Sequence, residues 1–572
     1  MNPRPIIWSI AGLDTAGGAG LSADQRAADA LGVHLCPVAA ALTAQHSQGV
    51  VAISPVDSAF LQAQLQALAQ DLPPRAIKTG LLGSVQAIEQ VAHWVDHWRT
   101  RTPAGTDPHR QLALIVDPVL GASSGGAAFS NDAIVQAYRQ WLLPRATVLT
   151  PNRAEARRLL GLRASHDGAT DDLPQTARDL QALGPRSVVI TGGDGPSLQD
   201  ASSTPYCLDW MLTPHAQGWL SAPRVDTPHT HGTGCTFASG IAAAWALGHV
   251  EADAIVLANM LTRHALLHGH AAGSGAGPVM AQAGFAAGPA QGGATLPWLG
   301  LGEEVPWRLT QTAPLFQPFT PPADGLYGIL ADGSQIEAAL QAGLRCVQLR
   351  HKARQGLEAH LSQSLRSAQQ AGAQLFINDH WQAALAPALH DDAVSDMPQG
   401  MRLGIHLGQE DLTALTPADR DTLLAAGRHV MLGLSSHSLW ELARAAGCGA
   451  SYIACGPIQP TTTKDMPWLP QGLDNLSWWI RHSPAPVVAI GGLLNAQDVA
   501  HVATCRPAAV CVVRGLGQTL NQMQAQVPAL QKAAGPCATL SASESNAVAP
   551  PFTPTSLPSF SPLLPHPVLP PA

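Results

Sequence analysis

Charge is scarce in this chain of 572 residues: 13% of positions are Asp, Glu, Lys or Arg, and the net charge is −8. A negative chain lacks the field that displaces counterions from nucleic acid, so general nucleic-acid binding is excluded. Cysteine is sparse too. Nine scattered residues with no CxxC pair argue against a disulfide framework or structural zinc, and for reduced thiols in a cytoplasmic setting. No apolar run approaches the ~20 residues that cross a bilayer, so no membrane partner is expected. The opening MNPRPIIWSIAGLDTAGG meets Asp14 and glycines too soon for a secretory signal. What is plentiful is hydrophobic residues (46%), Gly (53) and Pro (47), which suggest sizeable cores joined by long loops or linkers.

Up to residue 279, short β-like runs (Ile6–Ala11, Ala76–Thr79, Leu114–Val116, Val188–Thr191) alternate with Ala/Leu-rich helical stretches. That alternation predicts a parallel sheet covered on both faces. Residues 280–323 lose periodicity and turn Gly/Ala/Pro-rich, which reads as a linker with some order around Trp298 and Trp307. From 324 to 535 the alternation returns. Apolar runs fall at Leu326–Leu330, Cys346–Leu349, Leu375–Ile377, Gly404–Leu407, Val430–Leu434, Tyr452–Cys455, Val487–Ile490 and Ala509–Val513. Helical stretches such as Leu357–Ala371 and Leu439–Gly447 separate them. Eight β/α repeats over about 195 residues match a TIM barrel, although a doubly wound sheet can also hold eight strands. The Ser/Pro-rich tail, 536–572, is expected to be disordered.

In the first half, His231-Gly232-Thr233-Gly234-Cys235-Thr236 precedes a small-residue helix expected over Phe237–Leu247. Glycines there let backbone N–H groups and the positive helix end cradle an anion, as phosphoryl transfer needs, and the same dipole is expected to lower the Cys235 thiol pKa. Alone, this motif is as well explained by a tight loop with a small buried residue. It stands with Ala11–Asp24 (AGLDTAGGAGLSAD), Thr43-Ala44-Gln45-His46, Ile77-Lys78-Thr79-Gly80, Asp117-Pro118-Val119 and Thr150-Pro151-Asn152 with Glu155.

In this order the segments resemble the hydroxymethylpyrimidine/phosphomethylpyrimidine kinases of the ribokinase-like fold, over residues 5–279. The resemblance implies a three-layer α/β/α domain that binds ATP and Mg2+ and phosphorylates a pyrimidine alcohol twice. It implies an anion hole at Gly232 and Gly234, with Cys235 as the base for the alcohol proton. Substrate contacts are implied for Asp14 and for Gln45, whose amide offers both a donor and an acceptor. Nucleotide contacts are implied for Asn152 and Thr191, and Mg2+ organisation for Glu155. Thr191 and Ser123 stand where many relatives carry Lys, which puts charge neutralisation at the triphosphate in question. A pyridoxal-type kinase and a degenerate pyrimidine-binding module stay open as alternatives for this half.

In the second half, polar clusters fall where a barrel keeps its chemistry, at strand C-termini. They are Gln348-Leu349-Arg350-His351-Lys352, Ile377-Asn378-Asp379, His406-Leu407-Gly408-Gln409-Glu410-Asp411, Ser435-Ser436-His437-Ser438, Gly456–Lys464 and Ile490-Gly491-Gly492. Arg350, Lys352 and Lys464 with Asp379 and Asp411 suggest a Mg2+-bound polyphosphate. Any one of these charges, taken alone, reads as an ordinary rim ion pair. Together the clusters resemble thiamine-phosphate synthase over 325–517. The resemblance implies that Gln348, Arg350, Lys352 and Asn378 line a diphosphate, with Ser435 and Lys464 also facing it. It further implies that Asp379 and Asp411 hold Mg2+, and that Thr461, Thr463 and Gly492 bind a thiazole phosphate. Arg514 stands where many members carry Ser. The expected partners are these small molecules, and a homo-oligomer stays open.

Overall fold

The computed structural model describes residues 4–101, 111–121, 131–162, 172–193, 195, 197–200, 203–310, 314–385, 402–461 and 469–535. They form two compact units divided between Val305 and Pro306. Ser123, Thr463, Lys464 and the 536–572 tail lie outside the described residues.

The first unit holds β1 (Ile6–Leu13), β2 (His34–His46), β3 (Gly49–Pro55), β4 (Ala76–Thr79), β5 (Ala113–Val116), β6 (Val148–Leu149), β7 (Ser187–Ile190), β8 (Leu198–Gln199), β9 (Pro205–Leu212), β10 (Gln217–Pro223) and β11 (Trp298–Leu299). They lie in one sheet, in the order β11-β10-β9-β7-β6-β5-β4-β1-β2-β3, with β8 on β9. The centre is parallel as expected: β4 and β5 are buried at every position, as strands covered on both faces must be. The two edges depart from that expectation and run antiparallel. The connections explain this, because the links from β2 to β3 and from β9 to β10 are hairpin-short, whereas a parallel crossover takes a dozen residues or more.

Alternation along β1 shows the layering. Trp8 and Ile10 pack with Ile88 and Val91 of helix Val85–Thr100 in one apolar layer. Between them, the Ser9 hydroxyl donates to Asp24 of helix Gly20–Ala30 at 2.6 Å. Helices therefore cover both faces, giving the three-layer α/β/α arrangement.

Residues 280–305, expected as linker, fold into the first unit. Leu299 pairs with Leu220, the Trp298 ring stacks on Tyr206 at 5.2 Å, and Phe285, Leu296 and Leu301 are buried. Residues from 306 belong to the second unit, where Phe319 joins the barrel core. A few large apolar anchors outweigh a backbone rich in Gly and Pro.

The second unit is a closed parallel barrel of β12 (Leu326–Leu330), β13 (Cys346–Leu349), β14 (Gln374–Asn378), β15 (Arg402–Leu407), β16 (Met431–Ser436), β17 (Tyr452–Cys455), β18 (Val487–Ile490) and β19 (Ala509–Val512). Closure comes from β12 pairing with β19, Leu326 opposite Val510. Its interior is filled by Tyr327, Cys346, Phe376, Met431, Tyr452, Val488 and Cys511. Each strand lies within two residues of its expected span, as in a (β/α)8 fold.

Two candidate active sites

The helix of the first site starts earlier than expected, at Thr233, and runs to Ala246. Gly232 caps it at φ +90°, where an added Cβ would sit 2.2 Å from the Gly18 carbonyl oxygen. Thr233, Gly234 and Cys235 thus occupy the first turn, whose N–H groups have no partner within the helix.

Beside this turn, the Asp14 carboxylate accepts from the backbone N–H groups of Ala16 (2.8 Å), Gly18 (3.0 Å) and Ala19 (2.8 Å). His231 Nε2 lies 2.9 Å from Asp14 Oδ2 and 3.1 Å from Gln45 Nε2. Burial works against the Asp14 charge, but His231 and these amides hold its pKa below the ordinary value. His231 was quoted in the motif without a role; its signal was its place directly before the glycines.

Beneath the turn is a buried charge cluster that sequence reasoning also missed. Lys78 Nζ donates to Asp24 at 2.9 and 3.1 Å and lies 3.8 Å from Asp117. Asp24 also accepts from Ser9 and, at 2.7 Å, from Ser239. Burial opposes the Lys78 ammonium, yet Asp24, Cys235 and Asp117 hold its pKa above the usual lysine range. The available signal was a charged residue inside an otherwise apolar strand.

Cys235 corrects an expectation. The helix end was to lower its thiol pKa; instead burial pushes it up to about 12, with Asp24 and Asp117 adding to the rise and Lys78 opposing. Desolvation of a thiolate outweighs the helix dipole here. Asp117 acts on the same thiol, and burial raises its own carboxyl pKa to about 6 against the pull of Lys78.

Asn152 and Glu155 form a capping box on helix Arg153–Leu160: Glu155 N donates to Asn152 Oδ1 at 2.9 Å, and Asn152 N to Glu155 Oε2 at 3.0 Å. Glu155 Oε1 also accepts from Leu120 N at 3.4 Å. The loop Asp117–Leu120 thus places a carboxylate that acts on Cys235 at one end and bonds Glu155 at the other. Thr191 bridges Asn152, and its N–H donates to Pro151 O at 3.0 Å, so both nucleotide candidates meet where β6 and β7 end.

The second site is a hydrogen-bonded chain across the barrel mouth. Ser435 Oγ lies 2.9 Å from His406 Nε2, and His406 Nδ1 lies 2.8 Å from the Tyr452 hydroxyl. Tyr452 meets the Tyr327 hydroxyl at 2.9 Å, and Tyr327 donates to Gln348 Oε1 at 2.8 Å. Gln348 Nε2 then donates to Asn378 Oδ1 (3.1 Å), and Asn378 Nδ2 to Asp379 Oδ1 (2.7 Å). Four expected residues, Gln348, Asn378, Asp379 and Ser435, are therefore joined through three that had no expected role: Tyr327, His406 and Tyr452. Burial, then the charges of Arg350 and His437, push the His406 pKa down to about 3. The imidazole is neutral.

At the end of this chain Asp379 has φ +66°, a left-handed conformation costly for residues other than Gly, Asn and Asp. Its pKa is raised by burial and by Asp411, against the pull of Arg350, His380 and Lys352. Arg350, Lys352, Asp379 and Asp411 therefore act on one place. The loops after β17 and β18 run together, with Ile458 N donating to Ile490 O (2.9 Å) and Gln459 N to Gly491 O (3.1 Å). Gly492, at φ +79°, has no room for a Cβ, which would meet Gln459 at 2.6 Å. Thr461 follows directly on that loop.

Comparison with known proteins agrees with this division. A phosphomethylpyrimidine kinase family model matches residues 14–280, and a thiamine monophosphate synthase model matches 329–516. A probable thiamine biosynthetic bifunctional enzyme of Oryza sativa subsp. japonica, named chloroplastic, is 31% identical over 87% of this chain and 83% of its own length. The thiamine biosynthetic bifunctional enzyme of Arabidopsis thaliana is 30% identical over 90% of both chains. A hydroxymethylpyrimidine/phosphomethylpyrimidine kinase of Synechococcus elongatus is 38% identical over 48% of this chain and 96% of its own. Among solved structures, an ADP complex of Bacillus subtilis pyridoxal kinase matches 49% of this chain and 98% of its own, at 28% identity and a TM-score of 0.41. With matches spanning both units, the chain belongs to the bifunctional thiamine biosynthetic enzymes, a phosphomethylpyrimidine kinase fused to a thiamine-phosphate synthase barrel.

Proposed function

We propose that the first unit uses ATP to phosphorylate 4-amino-5-hydroxymethyl-2-methylpyrimidine and then its monophosphate. The second unit couples the resulting diphosphate with hydroxyethylthiazole phosphate, giving thiamine phosphate and free diphosphate. The observation that carries this reading is the convergence of Arg350, Lys352, Asp379 and Asp411 at the end of the Ser435–Asn378 chain. Cations gathered with two carboxylates suit a polyphosphate carrying its divalent ion.

The donor set fits Mg2+. Burial and the nearby Asp411 carboxylate raise the cost of ionising Asp379, which a divalent cation would relieve, and Mg2+ asks for only one or two carboxylates beside phosphate oxygens. When bound, it would neutralise charge on the leaving diphosphate. Arg350 and Lys352 stabilise the same growing charge, and the neutral His406, fixed between Ser435 and Tyr452, holds the wall on which the pyrimidine lies. In the first unit, amides of the Gly232–Cys235 turn receive the transferring phosphoryl group. Asn152 and Thr191 hold the nucleotide, Asp14 and Gln45 hold the pyrimidine, and Glu155 would help to hold a Mg2+ that neutralises charge on the triphosphate. Cys235 takes the alcohol proton as a thiolate, a form that burial disfavours and Lys78 favours.

No helix of the described residues is long and apolar enough to cross a membrane. The free cysteines of the described residues, five of them buried, support a reducing, cytoplasmic setting.

The test is a coupled assay of the full chain with hydroxymethylpyrimidine, thiazole phosphate and MgATP. Cys235→Ala should block phosphorylation and spare coupling of supplied pyrimidine diphosphate. Arg350→Ala should slow coupling about 100- to 1000-fold and spare phosphorylation. A wild-type chain that makes no thiamine phosphate, or variants that each cripple both steps, would refute the reading.

A further inference from the structure

Resting on the pyrimidine-kinase reading, we infer that His231 is a positioning residue that orients the Gln45 amide, turning its oxygen to the imidazole and its NH2 to the ligand. The first unit would then select heteroaromatic alcohols presenting an unprotonated ring nitrogen to Gln45. The two contacts of one nitrogen carry the argument. His231 Nε2 lies 2.9 Å from a carboxylate oxygen of Asp14 and 3.1 Å from the end of the Gln45 amide. A carboxylate only accepts, so Nε2 must carry the proton there. A ring nitrogen that carries its proton has no lone pair left for an amide N–H. The amide must therefore present its oxygen, which can share that proton, and its NH2 is released to the other side.

Asp14 sets the tautomer because charge-assisted hydrogen bonds are roughly twice as strong as neutral ones. Its carboxylate is further fixed by the N–H groups of Ala16, Gly18 and Ala19. The imidazole has nowhere else to go. It packs on Gly18, where an added Cβ would lie 2.2 Å from His231 Cδ2. Its backbone is tied on both sides, His231 N donating to Gly277 O (3.1 Å) and Val279 N to His231 O (3.0 Å). Gln45 is held in turn by Thr15, which accepts from Gln45 N and donates to Gln45 O, both at 2.9 Å. With both backbones anchored and the end of the amide seated against Nε2, His231 decides which way round the amide sits.

Steady-state kinetics of the full chain test this, with hydroxymethylpyrimidine and ATP varied separately and coupling by the barrel as the folding control. His231→Ala should raise KM for the pyrimidine at least tenfold, with KM for ATP and the coupling rate within twofold of wild type. Gln45→Glu keeps an oxygen for His231 but has no N–H for the ring, so it should raise the pyrimidine KM as much. A Gln45→Glu enzyme that binds the pyrimidine as well as wild type would overturn the orientation, since a carboxylate serves only a ligand that donates. A His231→Ala enzyme whose two KM values rise together would reduce the residue to a structural one and overturn the assignment. Failure of the wild-type chain to phosphorylate the pyrimidine at all is a separate result, and it would sink the kinase reading itself.

Discussion

The two sites handle charge in opposite ways. In the kinase unit almost every ionisable group near the turn is already paired: Lys78 with Asp24, Asp14 with His231 and three amides, Glu155 with Asn152 and Leu120. The anion there is left to backbone N–H groups. In the barrel the neutral side chains are bonded to one another, while burial and the charge of Asp411 raise the cost of ionising Asp379. One site is settled before its ligand arrives; the other is settled by its ligand. The first gains pre-organisation; the second holds stress that substrate and cation would relieve.

Three experiments press on that contrast. The largest effect is expected in the kinase unit, where Lys78→Met strands Asp24 without its buried partner. Loss of one member of such a pair costs about 3–5 kcal/mol, so calorimetry should show the first unit melting roughly 10 °C lower with the barrel transition unmoved. An unshifted kinase transition would mean that its charges are not mutually supporting.

A smaller effect should come from acid on the barrel. An unfolded His406 takes a proton below its ordinary pKa of 6.5, whereas the folded residue refuses one until about 3. Its contribution is complete above 6.5 and lost as pH falls toward 3, amounting to about 2 kcal/mol at pH 5. The chemical midpoint of barrel unfolding should therefore drop between pH 7 and 5, and His406→Gln should flatten that slope. A wild-type slope unchanged by the substitution would contradict it.

The smallest effect has the most instructive sign. Asp379→Asn removes a carboxylate whose charge burial and Asp411 disfavour more than Arg350, His380 and Lys352 favour it, and it keeps a residue type that tolerates a positive φ. It should raise the barrel's Tm by about 1–3 °C while abolishing coupling. A lower Tm would show that the carboxylate stabilises the empty barrel.

The same contrast explains what the sequence made readable. All eight barrel strands could be placed because each is a short apolar run, six of them ending in a polar cluster, and most side chains at the mouth announced themselves by charge. Tyr327 and Tyr452 did not, because single polar residues inside apolar strands look like core, and His406 stood in a polar cluster without a role. The chain has only four tyrosines, and two of them meet hydroxyl to hydroxyl here, so scarcity was the usable signal. In the kinase unit, Asp24 and Lys78 lie far apart in sequence and meet only through the sheet. The Cys235 pKa was misjudged because a local rule about helix ends cannot see how much water the fold removes. The stretch 280–305 was taken for linker because its Gly and Pro content masks Phe285, Leu296 and Leu299, all buried in the first unit.

That last stretch bears on how the two enzymes can be parted. β11 is the outermost rung of the first sheet, and its partner β10 would otherwise end the sheet with open amides and carbonyls. A kinase cut away at residue 279 loses this guard strand and bares an adhesive margin, together with the pocket that held Phe285. Severed after Val305 instead, it leaves with its hem sewn shut.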